Sequence, residues 1–275
     1  MSYFHLNLIL KGKLTVCCLL MLPAIPLNAQ REAKQIGDFK ESISLNEHLR
    51  GTKRTLQYRP DGDEFVCVNG KNRYTRALYG SHSPFRVETS DRPVFAFYNN
   101  GRGGNISFKV ILRDGTELAL DCTGHCESRY SAGKRTYYLT DPSWGKGELR
   151  ISVLALADMD GAIWRFSPSN MPKGAILRWQ HGGATGKRLS RNGDMGVDPA
   201  DCFELPVEAT DLVTGELPLQ KEVYLVRGEV PEDYNVRKLY QQAEAASLAL
   251  ASHLKIETPD PYLNTLGGAL VAAAD

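Results

Sequence analysis

Apolar and polar residues alternate along much of the chain between residues 54 and 227, and this period of two is typical of half-buried β-strands. The clearest alternation is carried by two runs, Ile106, Phe108, Val110 and Leu112, and Leu149, Ile151, Val153 and Ala155. Asp-Gly pairs predict tight turns at residues 61–62, 114–115 and 160–161. No helical crossover of sufficient length separates the runs, so the pattern predicts ten or more short strands in an antiparallel β-sandwich.

The period changes after Pro231. Residues 233–255 are rich in Ala, Leu, Gln and Glu, and their apolar residues recur at helical spacing. A second helix is expected to begin at Asp260-Pro261, an acidic cap followed by proline, and its apolar face carries Leu263, Leu266 and Leu270. Because neither a glycine cap nor a basic last turn follows, we expect this face to stay uncovered and the helix to open a helical domain that the chain does not complete.

The first 29 residues have the layout of a secretory signal peptide. Lys11 and Lys13 precede an apolar run over residues 14–22, and a small residue, Ala29, stands where cleavage is expected. The run is too short to span a bilayer as a helix. A buried N-terminal helix is the alternative. The sequence therefore predicts a periplasmic or secreted protein with a signal peptide (1–29), a β-sandwich domain (30–230), a linker helix (231–258) and the start of a helical domain (259–275).

Charge and cysteine content narrow the function classes. The full chain has 33 basic and 32 acidic residues, and removal of Lys11 and Lys13 with the signal peptide leaves 31 and 32, a net charge of −1. This balance lacks the excess of positive charge that is typical of proteins that bind nucleic acid or an anionic membrane. Four cysteines remain in the mature part, and export permits one or two disulfides whose pairing stays open: Cys67, Cys122, Cys126 and Cys202.

No metal or cofactor is predicted. Cys122, His125 and Cys126 have a metal-like spacing, but nothing in the sequence argues for a fourth zinc ligand, so a disulfide or two free thiols is favoured. The polar residues at 192–201 do not follow the twelve-residue calcium loop. Asp158 and Asp160 are interpreted as turn residues and not as a catalytic pair.

Two glycine-rich stretches are the candidate binding segments. In residues 99–105, glycines allow close backbone approach while Arg102 and Asn105 offer hydrogen bonds suited to sugar hydroxyls and carboxylates; a tight interstrand loop is the alternative. Residues 181–188 superficially suggest a phosphate loop. Gly182 and Gly186 are one residue too close and Arg188 replaces the required Ser or Thr, so nucleotide binding is rejected.

The second stretch continues into a long polar loop, and long loops in compact domains are often functional. Its cations are suited to an acidic sugar and Asp194 to hydroxyl groups, with a solvated loop as the alternative. The predicted substrate-binding residues are Arg102, Asn105, His181, Lys187, Arg188, Arg191 and Asp194. No catalytic residue is assigned.

Several distinctive stretches run through most of the mature chain, namely ALYG at 77–80, RGGN at 102–105, GEL at 147–149, GGATGK at 182–187 and SRNGDMG at 190–196. With these stretches and DPYLN at 260–264, the chain resembles an uncharacterised bacterial family that carries an N-terminal β-sandwich before a six-hairpin (α/α)6 glycosidase-like toroid. The resemblance implies a mainly β fold, a large antiparallel β-sandwich followed by a linker helix and the first helix of the toroid.

The same resemblance implies a function. In related toroid enzymes the catalytic carboxylates belong to the helical domain, so this chain is expected to be the non-catalytic part of a glycoside hydrolase-like protein whose partner is an oligo- or polysaccharide. The alternatives are a stand-alone carbohydrate-binding or scaffold module, and an enzyme whose active site lies wholly in the sandwich.

Overall fold

The computed structural model describes residues 57–80, 85–99, 102–188, 212–230 and 233–274. Within these ranges the backbone alone is described for Asn99, for residues 102–103 and for residues 183–188. The predicted signal peptide, Arg191, Asp194 and Cys202 lie outside the described residues.

The described residues form two antiparallel sheets of seven strands each. In chain order the strands are β1 (Arg59–Asp61), β2 (Glu64–Val68), β3 (Arg76–Tyr79), β4 (Arg86–Thr89), β5 (Phe95–Asn99), β6 (Arg102–Ile111), β7 (Glu117–Ala119), β8 (His125–Ser131), β9 (Lys134–Thr140), β10 (Glu148–Ala155), β11 (Gly161–Ser169), β12 (Ile176–Arg188), β13 (Val213–Pro218) and β14 (Val223–Gly228). The first sheet has the order β1-β2-β8-β9-β10-β11-β14. The second has the order β13-β12-β6-β5-β4-β3, with β7 paired to β6. The predicted mainly β, antiparallel architecture is confirmed.

Alternate side chains of both sheets meet in one core, as expected of a sandwich. The predicted alternation holds, because Ile106, Phe108 and Val110 all point into this core. Trp164 of β11 lies at its centre, and its ring contacts three aromatic rings of the second sheet edge-on or tilted, those of Phe95, Phe97 and Phe108. Such ring pairs add to the stabilisation from burial alone and fix how the sheets face each other.

The two ends of the sandwich differ. One end, called the helix end, contains the turns at residues 62–63, 132–133 and 156–160, which the strand registers of the first sheet bring together. In the second sheet it includes the cross-strand row Tyr79, Arg86, Tyr98 and Gly103. The two sheets meet there because Gly80 lies against the carbonyl of Leu156. The opposite end, called the far end, contains the turns at residues 112–116, 141–147 and 170–175.

Helix α1 (Val236–Ala251) confirms the helix predicted after Pro231 and packs on the outer face of the first sheet. Its side chains Leu239, Tyr240 and Ala243 lie against a second apolar cluster formed by Leu154, Leu156 and Ile163. The guanidinium carbon of Arg165 lies 4.3 Å from the centroid of the Tyr240 ring. Asn235 caps the helix by accepting a hydrogen bond from the backbone N–H of Lys238.

Helix α2 (Pro261–Ala274) begins where the sequence predicts, and Asp260 Oδ1 accepts from the backbone N–H of Tyr262 at 2.8 Å. The expectation that its apolar face is uncovered needs correction. Leu266 packs against the sandwich core, and the Thr265 hydroxyl donates to the carbonyl of Gly62 in the β1–β2 turn. Leu263 and Leu270 do remain 44% and 50% exposed. Among the described residues no helix is long and apolar enough to cross a membrane.

Candidate functional site

The two glycine-rich stretches, far apart in sequence, are neighbouring strands. Strand β6 pairs with β12 so that Asn105 faces Gly182, Gly104 faces Gly183 and Arg102 faces Arg188. The register shifts between Gly183 and Arg188, which marks a bulge or irregularity in β12. Both stretches therefore extend to the helix end, and the backbones of Arg102 and Arg188 are adjacent there. The side chains of Arg102, Lys187 and Arg188 are not described.

Asn105 and His181 lie close in the sheet but on opposite faces. The register places Asn105 beside Gly182 on the outer face, whereas His181 shares the inner face with Ile106 and with Phe97, whose ring centroid is 5.1 Å away. Arg227 of β14 donates from Nε to His181 Nδ1 at 2.9 Å, so Nδ1 acts as an acceptor. His181 therefore joins the two sheets and cannot contact the same ligand face as Asn105.

The outer face of the second sheet carries an ion pair that the sequence did not reveal. Arg86 Nε lies 2.7 Å from Glu88 Oε1, and both side chains are nearly buried. The Arg86 guanidinium also lies over the Tyr98 ring, 4.6 Å from its centroid. Burial raises the pKa of Glu88, while the hydrogen bond from Arg86 opposes that rise. This pair fixes the strand surface next to Asn105, and at the strand end Tyr79 is 53% exposed.

A cavity of about 880 Å³ lies at the helix end, between the sandwich and the two helices. The helices contribute mostly small or apolar side chains, among them Ala243, Leu250 and Ala269. The sandwich contributes the polar and aromatic part of the wall, Thr75, Arg76, Tyr79, Tyr130 and Asp158. A concave, mainly apolar surface with a few convergent polar groups is the usual form of a small-molecule site. Sequence reasoning missed it because its walls come from segments almost 200 residues apart.

The three described cysteines have free thiols, so Cys122 and Cys126 form no disulfide with each other. Burial raises the pKa of Cys126 to about 12, which keeps this thiol protonated and unreactive at neutral pH. Cys122 is exposed. Within the described ranges no three His, Cys, Asp or Glu side chains come together as a metal site.

Comparison with known proteins gives one family match. No curated protein sequence matches this chain. Residues 100–230 match the family model described as "Domain of unknown function (DUF4450)", which covers just under half of the 275 residues. The matched segment runs from β6 to β14 and contains all of the second glycine-rich stretch and all but the first residue of the first, so this chain is similar to that family over the central part of its sandwich.

Proposed function

We propose that this chain is the N-terminal, non-catalytic β-sandwich part of an exported glycoside hydrolase-like protein that acts on complex polysaccharide. In this proposal α2 is the first helix of a catalytic (α/α)6 toroid, and α1 is the linker that holds the toroid against the sandwich. The sandwich supports the toroid and adds its glycine-rich strand ends to the rim of the substrate cleft. Export follows from the signal-peptide pattern of the first 29 residues.

The observation that carries the proposal is the placement of α2 and of both glycine-rich strand ends at the same end of the sandwich. Helix α2 is held to the β1–β2 turn by Thr265, and on the same side of the fold β6 begins and β12 ends. A helical domain that continues from α2 therefore lies next to the predicted binding strands.

The exposed apolar side chains of the helices support the same proposal. Leu248, Leu263 and Leu270 are large hydrophobic residues that the described part of the chain leaves exposed. In helical bundles and toroids such side chains pack against neighbouring helices. Exposed leucines of this kind are therefore expected on helices that pack against further helices of a larger domain.

A stand-alone carbohydrate-binding module is the second candidate. It is favoured by Tyr79, an exposed aromatic ring at the cavity, because aromatic side chains with a polar tip suit ligands that are apolar on one face and wet on the other. The two candidates predict different affinities. A module that works alone binds its glycan without help, whereas half of a cleft binds weakly.

The test uses the purified mature chain against a panel of plant and host polysaccharides, with binding measured by calorimetry and hydrolysis by release of reducing ends. The proposal expects no hydrolysis and dissociation constants of about 1 mM or weaker. Micromolar binding without hydrolysis would replace the proposal by the stand-alone module. Hydrolysis by this chain would place the active site within the sandwich and contradict a non-catalytic role.

A further inference from the structure

The sandwich side of the cavity wall carries one arginine, Arg76, at the start of edge strand β3. Its guanidinium carbon lies 5.7 Å from the ring centroid of Tyr58 and 5.6 Å from that of Tyr130. Its Nη1 donates to the carbonyl of Thr75 at 2.7 Å. Two aromatic rings and one hydrogen bond therefore hold the planar group at the cavity wall, where its remaining N–H groups can meet a ligand.

Arg76 has no carboxylate partner among the described residues. The cavity wall contains one carboxylate, Asp158, in the β10–β11 turn, and it makes no ion pair with Arg76. Burial lowers the pKa of Arg76, Tyr130 opposes this change, and the nearby cation Arg135 lowers the pKa further.

A second arginine, Arg135, lies near Tyr58 inside the core. It is fully buried, and its guanidinium lies against the same Tyr58 ring, 5.6 Å from the centroid. Its Nη2 lies 3.7 Å from Asp91 Oδ1 and donates to the Ser128 hydroxyl at 3.0 Å. Its Nε and Nη1 are buried without an acceptor in the described part of the chain. Two guanidinium groups thus lie near one tyrosine ring, and the nearby carboxylate of Asp91 pairs with Arg135 and not with Arg76.

Asp91 is hydrogen-bonded within the core and does not pair with Arg76. It accepts hydrogen bonds from the Tyr58 hydroxyl and from the backbone and side chain of Asn72. The bond from the Tyr58 hydroxyl holds that ring in place near both Arg76 and Arg135. The result is a guanidinium group held at the wall of a partly apolar cavity, and because Arg76 is exposed, a ligand can reach it.

We propose that Arg76 binds the carboxylate of an acidic ligand in this cavity, and that the ligand is a uronic acid residue of an oligosaccharide. The choice of a sugar rests on the proposed function and on the rest of the wall. Asp158 and the Ser247 hydroxyl can accept hydrogen bonds from sugar hydroxyls, and Tyr79 offers an exposed aromatic ring. An arginine fork can donate two parallel hydrogen bonds to one carboxylate.

The experiment titrates the purified chain with three probes of known composition: a trigalacturonate, a neutral galactotriose and cyclohexanecarboxylate. Binding is measured by calorimetry at low salt for wild type, Arg76→Gln, Arg76→Lys and Arg113→Gln. Arg113 is an exposed arginine in the far-end turn and is the matched control for loss of one positive charge. Melting curves establish that each variant is folded, and titration of wild type at higher salt gives a second readout that needs no variant.

We expect trigalacturonate to bind wild type at least tenfold more tightly than galactotriose and to lose about tenfold to 100-fold in affinity in Arg76→Gln. Arg76→Lys recovers part of this loss, because it keeps the charge but not the planar fork. Arg113→Gln changes affinity less than twofold. Added salt weakens the binding of trigalacturonate and leaves that of galactotriose unchanged.

The probes separate this inference from the proposed function. If cyclohexanecarboxylate binds in an Arg76-dependent way and neither sugar binds, the carboxylate site stands but its ligand is not a saccharide. Equal, Arg76-independent binding of the two sugars overturns the carboxylate site and leaves a carbohydrate function standing. Failure of both carboxylates to bind wild type also overturns the site.

Discussion

At the far end of the sandwich, short loops close the core with their own side chains, whereas at the helix end a helix from a distant part of the chain does so. Leu120, Trp144 and Leu219 belong to far-end loops and are almost completely buried. At the helix end the core meets Tyr262, Leu266 and Ala269 of α2, which are only partly buried. Next to them lies the cavity of about 880 Å³.

The two ends differ in whether local or long-range contacts hold them together. Far-end loops satisfy their backbone locally, as when Gly115 N donates to Leu112 O and Trp144 N donates to Asp141 O, each at 3.0 Å. The helix end depends on long-range contacts, such as that of Gly80 with Leu156. Long-range contacts can change with a ligand or an added domain, whereas a locally closed loop has little freedom to do so.

The largest expected effect is at the far end. Trp144→Ala removes a buried ring from the core and should lower the free energy of unfolding by about 3–5 kcal/mol, measured by chemical denaturation. Trp144→Phe should cost much less, because Trp144 Nε1 is buried without an acceptor among the described residues, so its loss removes an unsatisfied donor.

The matched variant at the helix end is Leu270→Ala. Half of this side chain is exposed, so we expect a change in the free energy of unfolding within about 0.5 kcal/mol. Equal losses in Trp144→Ala and Leu270→Ala would show that the two ends contribute alike and would remove the contrast.

An effect smaller than that of Trp144→Ala is expected where the two sheets meet. A Cβ atom on Gly80 would lie 1.8 Å from the Leu156 carbonyl oxygen, so Gly80→Ala must push β3 away from β10. We expect a loss of about 1–3 kcal/mol in the free energy of unfolding. Gly124→Ala is the far-end control, because the nearest atom to its Cβ would be Pro142 Cδ at 3.2 Å, which a shift of a few tenths of an ångström relieves. A lower melting temperature for Gly124→Ala than for Gly80→Ala would contradict the predicted close contact.

Sequence patterns predicted the strands whose signals are local. Asp-Gly turns placed the hairpins at Gly62 and Gly115, both of which have positive φ angles, and strong alternation predicted β6 and β10. Strands β3, β4, β8, β9 and β13 were not identified one by one. Their residues include Arg86, Glu88 and Arg135, whose charges break the apolar alternation but are buried by ion pairs and ring contacts that only the tertiary fold supplies.

The candidate site was predicted in part. Composition alone singled out both glycine-rich stretches, and the structure pairs them as β6 and β12. It could not show that His181 faces inward, since one residue of register decides which face a strand side chain occupies. Arg76 and Tyr79 carried no recognisable motif, and their role depends on a cavity that forms only when α1 and α2 pack on the sandwich.

A further test, with a modest expected effect, asks whether the helix layer is a separate unit of stability. Asn235→Ala removes the cap that accepts from Lys238 N at 3.0 Å and should cost about 1 kcal/mol, while Asn235→Ser keeps an acceptor and should cost less. If α1 opens independently of the sandwich, hydrogen exchange becomes faster in α1 while amides of β10 keep their protection. Equal loss of protection in α1 and β10 would mean that helix and sandwich unfold together. The helix end would then be as firmly built as the far end, despite its cavity.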